Sequence, residues 1–284
     1  MVRLLWILVI LPLTSISCTH PKATSEGPVS LSEDGLLTNE LDIKMVKPDV
    51  FLVEHRFPWA ANSLIVKVSP ELVVWVDTPY NDDATTLVLR WIRKTYGEVR
   101  IVEINTGYHV DNLGGNGALL REGIPVYGAT LSARLLAEKG ETTRELLLGW
   151  LKGPDNATYH EAHRTASYVP SDNLFDIGVD EAVTPIVPSV EVFYPGPSHT
   201  EDNLVVYFKN HRVLFGGCML KAKDAENLGF TGDADLDAWP VSVRRVVARY
   251  PDADIVVPGH GAAGDGNLPQ HTLSLLESVA AAHP

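Results

Sequence analysis

Short apolar, β-branched runs bounded by turn residues come in two series along this chain, and helical spacing follows each series. The first series covers residues 50–53, 64–68 and 72–76, punctuated by Pro58, Asn62 and Pro70. Helical spacing at 87–96, a strand at 99–104 and helical stretches at 117–122 and 131–139 come next. The second series covers 190–194, 204–208, 213–215 and 255–257, with helices at 239–249 and 272–282. Between the halves, residues 141–164 read as one or two further helices. Every such run must bury an apolar face. Two βα halves packed sheet to sheet, with helices outside, bury them all at once, so the expected fold is an α/β (α+β) αββα sandwich. With 284 residues and 45% hydrophobic content, the chain is long enough to fill such a core.

The two ends of the first fifty residues differ in character. Arg3 precedes an apolar run from Leu4 to Leu13, and Thr14, Ser15, Ile16, Ser17 and Cys18 follow. A membrane-spanning helix needs about 20 apolar residues, roughly twice this run. The layout is that of a secretory signal over 1–17, with Cys18 placed where a lipoprotein carries its acylated cysteine. Residues 18–45 then read as a flexible leader and 46–284 as one folded domain. The expected location is therefore exported and periplasmic, with a lipid anchor at Cys18 the only expected membrane contact. The formal charge is −13, from 36 acidic and 23 basic residues, and no basic run interrupts it. Nucleic acid is excluded as a partner on that ground, because it demands a concentrated Lys/Arg footprint. A small-molecule substrate and a monomeric state are expected.

Four segments carry chemistry, each at or just after an expected strand end. They are Gly107-Tyr108-His109-Val110-Asp111, Pro195-Gly196-Pro197-Ser198-His199, Gly216-Gly217-Cys218 and Pro258-Gly259-His260-Gly261. In an extended backbone, positions 107, 109 and 111 project to one side, so His109 and Asp111 would address one small volume. Taken singly, a histidine in a loop is more often a solvated side chain than a ligand. Together the four segments supply imidazole, carboxylate and thiolate, the donors zinc prefers. In an exported protein, Cys218 has only Cys18 as a disulfide partner, so a buried thiol and a metal ligand are the two readings left for it. His20, His160, His163, His211, His271 and His283 lack glycine punctuation and read as structural or surface residues, while His55 stays open.

With these segments in view, the chain resembles the metallo-β-lactamases, specifically the subclass that usually carries two zinc ions. The sharpest parts are Phe193 to Asn203, Leu214 to Lys221 and Val257 to Gly261, and the resemblance extends from about Val50 to the C-terminus. It implies one tightly bound zinc on Asp111, Cys218 and His260, with His109 and His199 holding a second or remaining free beside it. It implies that Lys221 pairs with the substrate carboxylate, that Asp77 is a supporting carboxylate below the metals, and that Phe57 and Trp59 belong to a flap over the substrate. If only one zinc binds, His109 and Asp111 become the residues that would orient or deprotonate the attacking water. The implied activity is opening of the lactam amide of β-lactam antibiotics, carbapenems included, by a metal-bound hydroxide.

Three departures mark this chain. Gly107 stands where the family's His-x-His-x-Asp motif begins, so one nitrogen donor is missing; restoring it with Gly107→His is expected to tighten the second zinc. Phe230 stands where an asparagine often polarises the lactam carbonyl. The 141–164 stretch is longer than in most members and is expected to lie over the groove. The rivals are another hydrolase of the same fold, a thioesterase or lactonase, and a non-catalytic zinc-binding relative. Against the first, such hydrolases usually place histidine where this chain has Asn112, and bridge their metals with aspartate where it has Cys218.

Overall fold

The computed structural model describes residues 40–282. Its first sheet runs in chain order through β1 (Leu41–Lys47), β2 (Val50–Arg56), β3 (Ala60–Ser69), β4 (Leu72–Val76), β5 (Arg100–Ile104), β6 (Val126–Ala129) and β7 (Asn173–Phe175). β1 to β4 pair antiparallel, and β4 to β7 pair parallel. The second sheet, in order, is β12 (Ile255–Pro258), β11 (Val213–Gly217), β10 (Val205–Phe208), β9 (Val190–Tyr194) and β8 (Glu181–Val183). Only its β11–β12 pair is parallel.

Both faces of these sheets are covered, which is why the central runs read as continuous apolar stretches. All five residues of β4 are buried. Their side chains alternate: Leu72, Val74 and Val76 enter the layer between the sheets, and Val73 and Trp75 enter an outer layer. In the inner layer Leu64, Val66, Val102 and Ile104 meet Val192, Val206, Phe208, Phe215 and Val257. Outside the first sheet lie α1 (Asp82–Tyr96), α2 (Val110–Leu113) and α3 (Asn116–Arg121). Leu87, Val88 and Ile92 of α1 close over Trp75. α4 (Thr130–Trp150) and α5 (Ala157–Thr165) form a helical arm beyond β6. α6 (Trp239–Arg249) and α7 (Leu268–Ala282) cover the second sheet, with Trp239, Val243 and Leu276 against Phe193 and Leu214. The αββα order is the expected one.

Local signals set the boundaries of α1. The Asn81 side chain caps it by accepting from Ala84 N at 2.9 Å, and Asp82 and Asp83 occupy the first turn. Gly97 at φ 71° ends it. The expected leader ran to residue 45, but β1 takes up Leu41–Lys47 and pairs with β2 from Leu41↔His55 onward. The sheet thus begins before that boundary. The expected secretory signal, Cys18 and the rest of the leader lie outside the described residues.

Candidate metal centre

The segments singled out for their donors all leave the carboxyl ends of strands on the same edge of the sandwich, where open α/β sheets gather their ligands. Asp77 ends β4, the 105–111 segment leaves β5, His199 follows β9, Cys218 follows β11 and His260 follows β12. The expectation of an extended 107–111 segment is corrected. The chain turns at His109 into α2, and Asp111 lies inside that helix. A helical turn brings Asp111 to the donors of the other sheet, which strand alternation would not have done.

Asp111 Oδ2 lies 3.2 Å from Cys218 Sγ and 3.1 Å from His260 Nε2, and Sγ lies 3.7 Å from Nε2. These donor atoms fall within 4.8 Å of one another, the one group of three or more His, Cys, Asp or Glu that does so among the described residues. His260 Nδ1 is 2.6 Å from Ala60 O and donates there, which fixes the ring with Nε2 facing the cluster. Burial and the adjacent Asp111 carboxylate both push the Cys218 thiol up. Burial also works against the Asp111 carboxylate, but the His260 hydrogen bond and charge outweigh it and hold that carboxyl below the usual range. A thiol crowded against a carboxylate, with an imidazole beside both, is a poor arrangement for protons and a good one for a divalent cation. The donor set fits zinc.

Glycine is required where the two loops of this centre close. A Cβ on Gly259 would sit 2.7 Å from Cys218 Sγ and 2.6 Å from Cys218 N. Gly217 has φ 55°, and Gly259 N donates to its carbonyl at 2.7 Å.

His109 and His199 form a second pair, their rings perpendicular with centroids 5.3 Å apart. His199 is buried and its Nδ1 has no hydrogen-bond partner. Burial holds it well below the usual histidine range, so it stays neutral and able to ligate. His109 Nε2 lies 2.9 Å from Asp233 Oδ2, a carboxylate the sequence reading did not single out. Its loop, residues 223–237, has no regular periodicity to announce it; the Gly232-Asp233 step is the only local mark. Gly107 contributes no donor, and its surroundings are filled: a Cβ there would meet Asn112 Oδ1 at 3.0 Å and Asn203 Nδ2 at 3.4 Å.

Asp77 supports this floor without touching the donors. Its carboxylate accepts from Thr106 N and Thr106 Oγ1, each at 2.7 Å, and from Asn112 Nδ2 at 2.8 Å. Burial pushes its pKa up to about 8, although those hydrogen bonds favour the charged form. Lys221 is buried to 9% exposure, with Nζ 5.3 Å above the Trp239 ring. Burial lowers its pKa, and the nearby Cys218 and Asp111 oppose that shift.

The two flap residues part company. Phe57 is buried, stacked on His55 at 5.3 Å and perpendicular to Tyr159 at 4.9 Å, with His163 at 5.3 Å. Trp59 stays part-exposed and meets Trp150 of the arm at 6.3 Å. His55, left open from sequence, is a core residue that accepts from Tyr80 N at 3.2 Å.

With the geometry in place, comparison with known proteins gives a consistent picture. The profile of the metallo-beta-lactamase superfamily matches residues 58–260. A metallo-beta-lactamase type 2 of Bacillus sp. (strain 170) is 32% identical over 217 residues, 76% of this chain and 73% of that protein. The crystal structure of the DIM-1 metallo-beta-lactamase superposes with a TM-score of 0.70 at 33% identity, covering 84% of this chain and 98% of that one. The FIM-1 enzyme from Pseudomonas aeruginosa, solved in a mono-zinc form, gives a TM-score of 0.70 at 25% identity, covering 86% and 97%.

Proposed function

This chain belongs to the metallo-beta-lactamase superfamily and is a hydrolase, and we propose that it is a zinc-dependent β-lactamase opening the lactam amide of β-lactam antibiotics, carbapenems included. The observation that carries this reading is the convergence of Asp111, Cys218 and His260 within 4.8 Å. Those three residues would hold one zinc tightly, and His109 with His199 a second more weakly, having lost the donor at 107. When bound, zinc lowers the pKa of a coordinated water toward neutrality and polarises the amide carbonyl.

The chain's own residues do the remaining work. Lys221 brings a largely desolvated cation beside the cluster, suited to a substrate carboxylate, and so fixes orientation more than it breaks bonds. Asp111, held ionised, orients the attacking water. With its Nε2 proton directed at Asp233, His109 keeps Nδ1 as its lone-pair nitrogen, able to accept a proton or a metal. Asn112 holds Asp77, which leaves it poorly placed to serve as the extra ligand of the thioesterase-type relatives.

Export to the periplasm, a lipid anchor at Cys18 and a monomeric state remain part of the proposal; incorporation of labelled palmitate, abolished by Cys18→Ala, tests the anchor. The activity is tested by incubating zinc-loaded protein with a chromogenic cephalosporin and with a carbapenem, with and without chelator. Hydrolysis abolished by chelator is expected. Zinc-loaded, folded protein that leaves both intact but cleaves a thioester or lactone would overturn the reading.

A further inference from the structure

The helical arm reaches the metal centre through a line of aromatic rings. Trp150, the last residue of α4, meets Trp59 of the flap at 6.3 Å and 84° and Phe230 at 5.1 Å and 68°. The Phe230 ring lies 6.1 Å from that of His109 and 6.3 Å from that of His199. At the other foot, Trp59 precedes Ala60, whose carbonyl takes the His260 Nδ1 proton. The rings therefore run from the His260 side of the cluster to the His109/His199 side, and Trp150 is the middle of the span.

The span is pinned from behind. Phe57 inserts between His55, Tyr159 and His163, which joins the flap to α5. Arg144 Nη1 of α4 donates to His163 O at 2.9 Å and to Ala166 O at 2.6 Å, and its guanidinium lies 4.3 Å from the Tyr168 ring. Those contacts tie the two helices of the arm together. Yet Trp150 keeps 49% of its surface exposed, and Leu146, on the same helix face four residues earlier, keeps 43%. An exposed apolar ridge on a braced support beside a polar centre marks a ligand-contact surface.

We propose that Trp150 is the specificity-determining keystone of an aromatic arch formed with Trp59 and Phe230 over the metal centre, admitting substrates whose substituent beside the lactam carbonyl is small and disfavouring those with a bulky branched one. A flat fused-ring nucleus can lie against the rings. A large side chain would have to break the contacts that brace the arm in order to make room, so size is read against that span. This proposal rests on the β-lactamase reading.

The test compares wild type, Trp150→Phe and Trp150→Ala on a carbapenem with a small hydroxyethyl substituent and on a cephalosporin with a bulky oxyimino-acylamino one. Zinc content and circular dichroism are measured for each protein. The alanine variant is expected to raise the bulky-to-small ratio of kcat/KM by about 10-fold with zinc content unchanged, and the phenylalanine variant by less. Hydrolysed carbapenem titrated into zinc-loaded wild type is expected to change tryptophan emission, and to change it much less in the phenylalanine variant. Hydrolysis with the ratio unchanged in both variants overturns the arch and leaves the β-lactamase reading standing. No hydrolysis of either substrate by wild type overturns both.

Discussion

At the residue scale, the site joins donors that sequence motifs expose to partners that they hide. The segments around His109, Asp111, His199, Cys218 and His260 stand out by their glycine and proline punctuation, whereas Lys221 is named only through the family resemblance. Asp233 was not legible, because its role depends on a 124-residue separation that only folding closes. Phe57 lies in a pocket of other rings, a placement its sequence does not announce, since an aromatic residue in a flap looks the same whichever way it faces. Asp233→Asn retains an oxygen for the His109 proton but loses the charge, so kcat is expected to fall about 10-fold with KM little changed. Metal analysis would separate that from zinc loss, and an unchanged kcat would make the contact merely structural. For Lys221→Ala the expected split is opposite. KM for a carboxylate-bearing substrate should rise about 10-fold or more while kcat changes little, since the contact exists in ground and transition states alike.

Elements were legible where they were long or buried on both faces, and lost where they were short or on an edge. The strands at 64–68, 72–76 and 190–194 and the helix at 239–249 were all readable. β7 and β8 have three residues each, too few to show a period. β1 is an edge strand whose mixed burial and two lysines made it look like leader. The union of flap and arm was invisible, because it depends on His163 finding Phe57 across the groove. It also has a titratable consequence. Burial lowers His163 to about 4, below its unfolded value of about 6.5. As pH falls through 6.5 the unfolded chain takes up the proton first, so the stability contributed by neutral His163 is complete above that value and is lost progressively toward pH 4. His55, lowered to about 3 by burial, acts in the same direction. Between pH 7 and pH 5, His163 alone should account for about 2 kcal/mol of lost stability. Denaturant melts of His163→Phe at both pH values should show a correspondingly smaller loss, and an identical loss would remove His163 as the cause.

Across the whole molecule, the metal centre is shared between the two sheets. Asp111 and His109 come from the first, and His199, Cys218 and His260 from the second. Asn62 of β3 stitches the two together: its backbone N donates to Gly259 O at 2.8 Å, and its Nδ2 donates to Pro258 O at 2.9 Å and to Gly261 O at 2.7 Å. Asn62→Ala leaves those buried carbonyls short of a donor and should cost about 1–3 kcal/mol of stability. It should also weaken zinc binding, because the His260 loop hangs on those bonds. Chelator competition alongside denaturant melts would check both, and full zinc affinity in a destabilised variant would uncouple the loop from the metal. The sandwich followed from sequence because the strands and helices recur in each half, whereas the strand order and the cross-sheet stitch did not, since neither leaves a mark on local pattern.

The packing around Gly107 governs the order in which this site can change. Its backbone lies outside the left-handed region, so a side chain is not barred by conformation. It is crowded by a neighbour: Asn112 Oδ1 stands 3.0 Å from the Cβ position, on an amide anchored at 2.8 Å to Asp77, so that amide would have to shift. With Asn112 left in place, this crowding opposes the gain in second-zinc affinity expected of Gly107→His. The single variant should bind a second equivalent no better than wild type, whereas Gly107→His combined with Asn112→Gly should bind it more tightly by about 10-fold, read by chelator competition. Equal affinity in the single and double variants would show that Asn112 is no obstacle. The order of the two substitutions therefore matters to packing: with Asn112→Gly in place first, histidine at 107 meets no crowding amide, whereas Gly107→His first sets its Cβ against Asn112 Oδ1.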